Sequence, residues 1–262
     1  MKNISILGGG WLGFPLGKEL AKQHQIKMSS TSQNKLKIYA DAGLQPFLLN
    51  ILPNESSTFD SMFFEECDLL IITIPPNRRN SESLDYVKKM DWIISQIEKH
   101  DIKEVIFTSS TSVYDGLINE VDELSHLLNE TNEIVVNELK LLHSKTFNAA
   151  VLRLGGLFGN ERHPVYYLVK KKVIENGNEP VNMLHLNDAI NAIKRIVSKP
   201  IPNSIYNLVY PKHDSRETFY TNAAKRLNLI LPPFIYSEVS KNRKVMSEKI
   251  QNDYNFEFQF FE

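Results

Sequence analysis

Short apolar runs alternate with amphipathic stretches through the first half of the chain. Ile4–Leu7 reads as a buried strand, Trp11–Gln23 as a helix and Ile26–Ser30 as a second, weaker strand. Ser32–Ala42 follows as a helix ended by Gly43, the residue type that closes helices through a left-handed turn. Phe47–Ile51 is a third strand. Leu69–Ile74 is a fourth, stopped by Pro75-Pro76 because proline has no N–H to donate to a ladder. Ser81–Lys99 carries Leu84, Val87, Trp92, Ile93, Ile94 and Ile97 on a rough helical stripe, and Glu104–Thr108 is a fifth strand. Strands and helices in this alternation predict βαβ units and a doubly wound parallel sheet of α/β class.

The rhythm changes after residue 115. Glu120–Thr131 is polar and predicts no element, Glu133–His143 a helix, and Ala150–Leu154 a sixth strand. Loops rich in Gly, Asn and Pro follow, with helices near 164–175, 187–198 and 216–228 and a short strand at Ile205–Leu208. Asp214 and Glu217 have the spacing of a capping box for the last of these helices. Phe256, Phe258 and Phe260 alternate like a half-buried strand. No repeat or low-complexity tract appears. The expected organisation is a dinucleotide-binding domain over 1–155 and a smaller C-terminal α+β substrate lobe over 156–262, built on the first domain and not independent of it.

Composition narrows the function classes. The 262 residues are 42% hydrophobic and 23% charged with a net charge of -1, which suits a globular protein and gives no basic face for nucleic acid. Cys67 stands alone, so no intramolecular disulfide and no thiolate metal site is expected, and no metal ligands are assigned. There is no apolar run of about 18 residues and no signal-peptide core. The reading is a reduced, soluble, cytoplasmic protein with a small-molecule partner, no nucleic acid and no membrane, monomer or homodimer being open. Cys67 is expected in the core.

The candidate chemistry begins at the first turn. Gly8, Gly10 and Gly13 form G-x-G-x-x-G between a strand and a helix, the context that gives this motif its meaning. Gly8 permits the tight turn, Gly10 lets backbone approach a pyrophosphate, and Gly13 lets helix and strand pack closely. The helix N-terminus supplies free N–H groups and a favourable dipole for the anion, with Trp11 and Leu12 inside the same turn. Whether Trp11 covers the cofactor or merely packs stays open. NAD sites place an acid about 20 residues past the motif to hold the ribose 2′-hydroxyl. Here Met28-Ser29-Ser30-Thr31-Ser32-Gln33-Asn34-Lys35 holds none. Hydroxyls of Ser30 and Thr31, with Lys35 or Lys37, suit a 2′-phosphate, so NADP is expected, NAD being possible.

Four further segments occur in order: Thr108-Ser109-Ser110-Thr111-Ser112-Val113-Tyr114, Leu152–Gly159, His185-Leu186-Asn187-Asp188, and Ile205-Tyr206-Asn207-Leu208. With the glycine motif they resemble the extended or atypical short-chain dehydrogenase/reductase superfamily, the NAD(P)-dependent epimerase/dehydratase group. The resemblance implies that Ser110 occupies the catalytic Ser/Thr position beside the nicotinamide, assisted by Thr111 and Ser112. It implies that Ile74, Pro75, Thr108 and Leu154 line the cofactor and that Thr111 and Tyr114 meet substrate, with His185 and Asp188 structural. Arg162 suits an anionic substrate and His163 a proton donor, a surface loop before a helix at Pro164 being the alternative. The family's Tyr-x-x-x-Lys pair is missing, since no Tyr lies between 115 and 165. Tyr166/Lys170 and Tyr167/Lys171 have the spacing but come after the sixth strand, on what reads as a solvated helix face. Glu130, Glu133, Tyr114 or His163 would then supply the proton, or the chain binds the dinucleotide without turning it over, as a sensor or scaffold. A third possibility is a β-hydroxyacid dehydrogenase, which the opening Gly8–Leu16 also resembles; it requires an all-helical second half.

Overall fold

The computed structural model describes residues 1–52, 59–75, 83–115, 120–125, 131–159, 162–236 and 242–261. By its internal contacts the chain divides into two interleaved units. The first is Met1–Val113, Asn129–Leu152 and Ile193–Ile205; the second is Tyr114–Leu128, Arg153–Ala192 and Tyr206–Glu262. The sequence-based division was a single cut at 155.

The elements up to residue 110 are β1 (Asn3–Leu7), α1 (Gly13–Leu20), β2 (Gln25–Ser30), α2 (Gln33–Asp41), β3 (Gln45–Leu48), β4 (Leu69–Ile72), α3 (Ser83–Lys99) and β5 (Glu104–Ser110). There follow β6 (Glu120–Val121), α4 (Glu133–Leu142), β7 (Asn148–Leu154), β8 (Gly156–Phe158), α5 (Val165–Leu168), β9 (Met183–His185) and α6 (Leu186–Val197). The chain ends in β10 (Ser204–Leu208), α7 (Arg216–Arg226), β11 (Lys244–Val245) and α8 (Glu248–Tyr254). Seven strands form one parallel sheet in the order β10-β7-β5-β4-β1-β2-β3. Register puts Ile4 beside Ile26 and Leu69, and Ile71 beside Ile106. β4 is buried at every residue, as a sheet covered on both faces requires.

The sheet order has a consequence for ligand binding. From β1 the chain winds outward through β2 and β3, then returns to place β4 on the other flank of β1. The gap at the carboxyl ends of β1 and β4 is the topological switch point where open α/β sheets bind ligands. Helix α1 starts in that gap. It begins at Gly13, not at Trp11, because residues 10–12 make the turn into it. Gly8 has φ +113, a conformation that side chains disfavour. A Cβ on Gly13 would stand 2.1 Å from the Gly8 carbonyl oxygen, so only glycine lets the helix lie this close to the strand end.

The second unit holds two short parallel pairs, β6 with β11 and β8 with β9. Its core joins Phe158, Val165, Leu168, Phe219 and Tyr220. These strands rule out the all-helical second half that a β-hydroxyacid dehydrogenase needs. Three local expectations are corrected. Ser215, not Asp214, caps α7: its Oγ accepts from Thr218 N at 3.1 Å, while Asp214 pairs with Lys212. The helix expected over 164–175 shrinks to α5, because the backbone around Ile174 turns to bond Pro233 and Ile235. The tail 256–260 is not a strand. The Asp188 carboxylate, fully buried, accepts from Gln259 N and Phe260 N at 3.0 Å each, replacing the ladder a strand would need. Phe260 stacks on His185 and Phe261 on Tyr210.

Gly13→Ala tests the packing of α1. Alanine gains about 1 kcal/mol of helix propensity over glycine, but the overlap with the Gly8 carbonyl outweighs it. A net loss of about 1–3 kcal/mol is expected in urea unfolding, and a variant as stable as the parent contradicts the close approach.

Candidate functional site

The loop after β1 is held from three sides. Gly8 N donates to Ser29 Oγ and Gly9 N to Ser29 O, both at 2.9 Å. Thr73 Oγ1 donates to Gly8 O at 2.7 Å, and Tyr39 OH to Gly9 O at 2.5 Å. Tyr39 is buried, and burial pushes its phenol up while its contact with Ser30 opposes that. The loop is thus fixed to β2, to the end of β4 and to α2. None of Ser29, Tyr39 and Thr73 was singled out from sequence, because each works through backbone partners distant in the chain.

Above this loop lies a cavity of about 260 Å³, near the lower bound of ~300–1,000 Å³ typical of small-molecule sites. Gly8–Gly10 form its floor, and Ser29–Thr31 with Lys35 and Tyr39 one wall. Leu49–Ile51, Thr73–Pro75 and the α3 residues Tyr86 and Lys89 complete it. The walls at Ile51, Ile74 and Pro75 are apolar, and no carboxylate is among the described lining residues. A Cβ on Gly10 meets nothing within 4 Å, so the space over that backbone is open. The first turn of α2 carries Lys35 and no acid, although a helix N-terminus favours negative charge. That arrangement suits a helix start that faces an anion.

Of the expected cofactor residues, Gly8, Gly10, Ser30, Thr31, Lys35, Ile74 and Pro75 converge on this cavity. Trp11, Leu12, Gly13, Thr108 and Leu154 are not in its lining. Leu12 and Leu154 are buried core residues, and Thr108 Oγ1 donates to Ile72 O at 3.1 Å across the sheet. Tyr86, Lys89 and Asn50 were missed. Tyr86 and Lys89 sit on a helix whose visible signal was its apolar stripe.

At the end of β5, Ser110 Oγ accepts from Ser112 N at 3.1 Å and so caps the turn at Thr111–Val113. Its neighbour Ser109 donates to the buried carboxylate of Glu138 on α4. The sequence analysis named Glu130 and Glu133 and not Glu138, although Ile134, Glu138 and Leu141 share the inner face of α4 at helical spacing. Beside it, Asn137 is buried with no hydrogen-bond partner for its amide among the described residues. Glu130 lies outside the described residues.

In the second unit lies Tyr114, expected to meet substrate. It is buried, its hydroxyl lies 2.8 Å from both Asp122 O and Asn207 Oδ1, and Arg153 covers its ring at 4.9 Å. Burial pushes its phenol up, with Arg153 opposing. His163 is also buried; its ring stacks on Phe219 and its Nδ1 accepts from Val165 N at 3.1 Å. Arg162 is exposed beside it. Cys67 is buried as expected. No helix among the described residues is long and apolar enough to cross a membrane.

No family model matches the chain. Protein YeeZ of Escherichia coli K12 is 33% identical over 268 residues, covering 99% of this chain and 97% of YeeZ. A functionally unknown conserved protein from Silicibacter pomeroyi superposes with TM-score 0.78 at 19% identity, over 99% of this chain and 94% of that one. UDP-glucuronic acid 4-epimerase from Bacillus cereus, in complex with NAD, gives 0.80 at 15% identity, over 99% and 92%. This chain therefore belongs to the family of YeeZ, and its fold is that of the epimerase/dehydratase group of the short-chain dehydrogenase/reductase superfamily.

Proposed function

We propose that the chain binds a nicotinamide dinucleotide, NADP in preference to NAD, and is an epimerase/dehydratase-like oxidoreductase acting on a small polar substrate. The observation that carries this reading is the cavity over Gly10 at the switch point of the sheet, whose described lining holds lysines and no acid. The residues present fit the group. The open space over Gly10 receives the pyrophosphate, and the Ile51, Ile74 and Pro75 walls receive the adenosine end. Ser30, Thr31 and Lys35 receive the 2′-phosphate. When bound, the nicotinamide supplies a hydride donor or acceptor. The chain's own part is to fix the loop through Ser29, Thr73 and Tyr39, so that little ordering remains to be done on binding.

A second reading is that the chain binds the dinucleotide without turnover. What favours it is the missing Tyr on α4, together with the packing of Tyr114 and His163 into the core of the second unit. Ser110 with the Ser109–Glu138 pair favours catalysis. Isotope exchange at the nicotinamide in the presence of a metabolite extract separates the two: exchange supports the enzyme, and tight binding with no exchange supports the sensor.

Gly10→Ala is expected to leave stability within about 0.5 kcal/mol, because its Cβ meets open space, yet to weaken dinucleotide binding at least about tenfold by filling the anion's place. Unchanged affinity in fluorescence titration removes the glycine loop from the binding site. Ser30→Asp is expected to lower the NADP-over-NAD affinity ratio at least about tenfold through repulsion of the 2′-phosphate. The new carboxylate still accepts from Ser32 N, as Ser30 Oγ does at 3.0 Å, so the turn survives. An unchanged ratio means that the end of β2 does not face the ribose.

A further inference from the structure

The cavity over Gly10 takes cations from two walls that are far apart in sequence. One is Lys35, in the first turn of α2. The other is Lys89, in α3, which no motif marks. Its direction is fixed by its neighbour. Tyr86 OH donates to Ile74 O at 3.1 Å, which turns that face of α3 to the end of β4. Lys89 follows Tyr86 by three residues and so lies on the same face, one turn further along. Lys88, next in sequence, is exposed and does not line the cavity.

Lys89 is also unusual in what it lacks. Other half-buried lysines of the first unit each reach an oxygen: Lys2 on Glu104, Lys27 on the carbonyls of Met62 and Glu65, Lys140 on Asp91, and Lys194 on Glu19. Lys89 is half-buried and has no such partner among the described residues, and neither does Lys35. Among the described lining residues there are two lysines and no carboxylate. A dinucleotide's pyrophosphate has the helix N-terminus and loop of α1 to hold it. The charge left to match is a phosphate monoester, which carries close to two negative charges near neutral pH.

We propose that Lys89 is a second cation for the 2′-phosphate, acting with Lys35 from another element lining the same cavity, and that this pair sets the preference for the phosphorylated dinucleotide. The proposal rests on the dinucleotide reading above. Both lysines contribute where Ser30 and Thr31 supply only neutral hydrogen bonds, and α3 becomes part of the specificity element.

The test is calorimetric titration of the full chain with NADP+ and with NAD+, at low salt. Lys89→Met is expected to weaken NADP+ binding at least about tenfold, the size of a charge-assisted contact, and to change NAD+ binding less than about threefold. Lys89→Arg is expected to keep the preference, and Lys88→Met to leave both affinities unchanged. Thermal melting of each variant controls for folding. Three outcomes overturn the proposal: no effect of Lys89→Met, equal loss for both dinucleotides (which assigns Lys89 to the pyrophosphate), or the same loss in Lys88→Met. A parent chain that binds neither dinucleotide overturns the underlying reading instead.

Discussion

The contact between the backbone of Gly13 and the carbonyl of Gly8 is the constraint on which the rest of the site depends. It sets how near α1 can come to the end of β1, and only a residue without a Cβ allows 2.1 Å between that position and an oxygen. The Thr73 hydroxyl bonds the same Gly8 carbonyl, and Ser29 and Tyr39 take the remaining polar groups of Gly8 and Gly9. The loop is therefore positioned by four separate segments of chain. Its rigidity is a property of the folded sheet, not of the glycines, which alone would make it loose.

The strand order turns this rigid loop into a site. Because β4 returns beside β1, the loop lies at the gap between the two windings. The same geometry brings together residues near positions 10, 30, 50, 75 and 89, each at the end of a strand or on the following helix. Electrostatics then decides what the gap accepts. The described lining has apolar side walls, two lysines and no carboxylate, and this is the basis for proposing a ligand with one flat apolar part and more than one phosphate charge.

Much of this was legible in the chain. Hydrophobic periodicity located β1, β2, β4, β5 and β7 and the helices between them, since long runs with one clear period leave little choice. The glycine spacing and the lack of an acid after β2 located the floor and one wall of the cavity. What periodicity missed has a common cause. Tyr39, Thr73 and Lys89 act through partners 30 to 65 residues away, or through one turn of a helix whose pattern is set by its buried side. The two-residue strands β6 and β11 are too short to show alternation. The aromatic alternation at 256–260 misled because Asp188, not a neighbouring strand, takes the backbone donors. The partners of Tyr114, Arg153 and Asn207, were hidden for the same reason, lying 39 and 93 residues further along the chain.

The decisive quantity is where a dinucleotide's phosphates sit. A crystal structure of the chain soaked with NADP+ measures this directly. The account requires the pyrophosphate over Gly10 and the 2′-phosphate between Ser30, Thr31 and Lys35. Density for the dinucleotide elsewhere, or a bound NADP+ whose 2′-phosphate points into solvent away from Lys35, would contradict it.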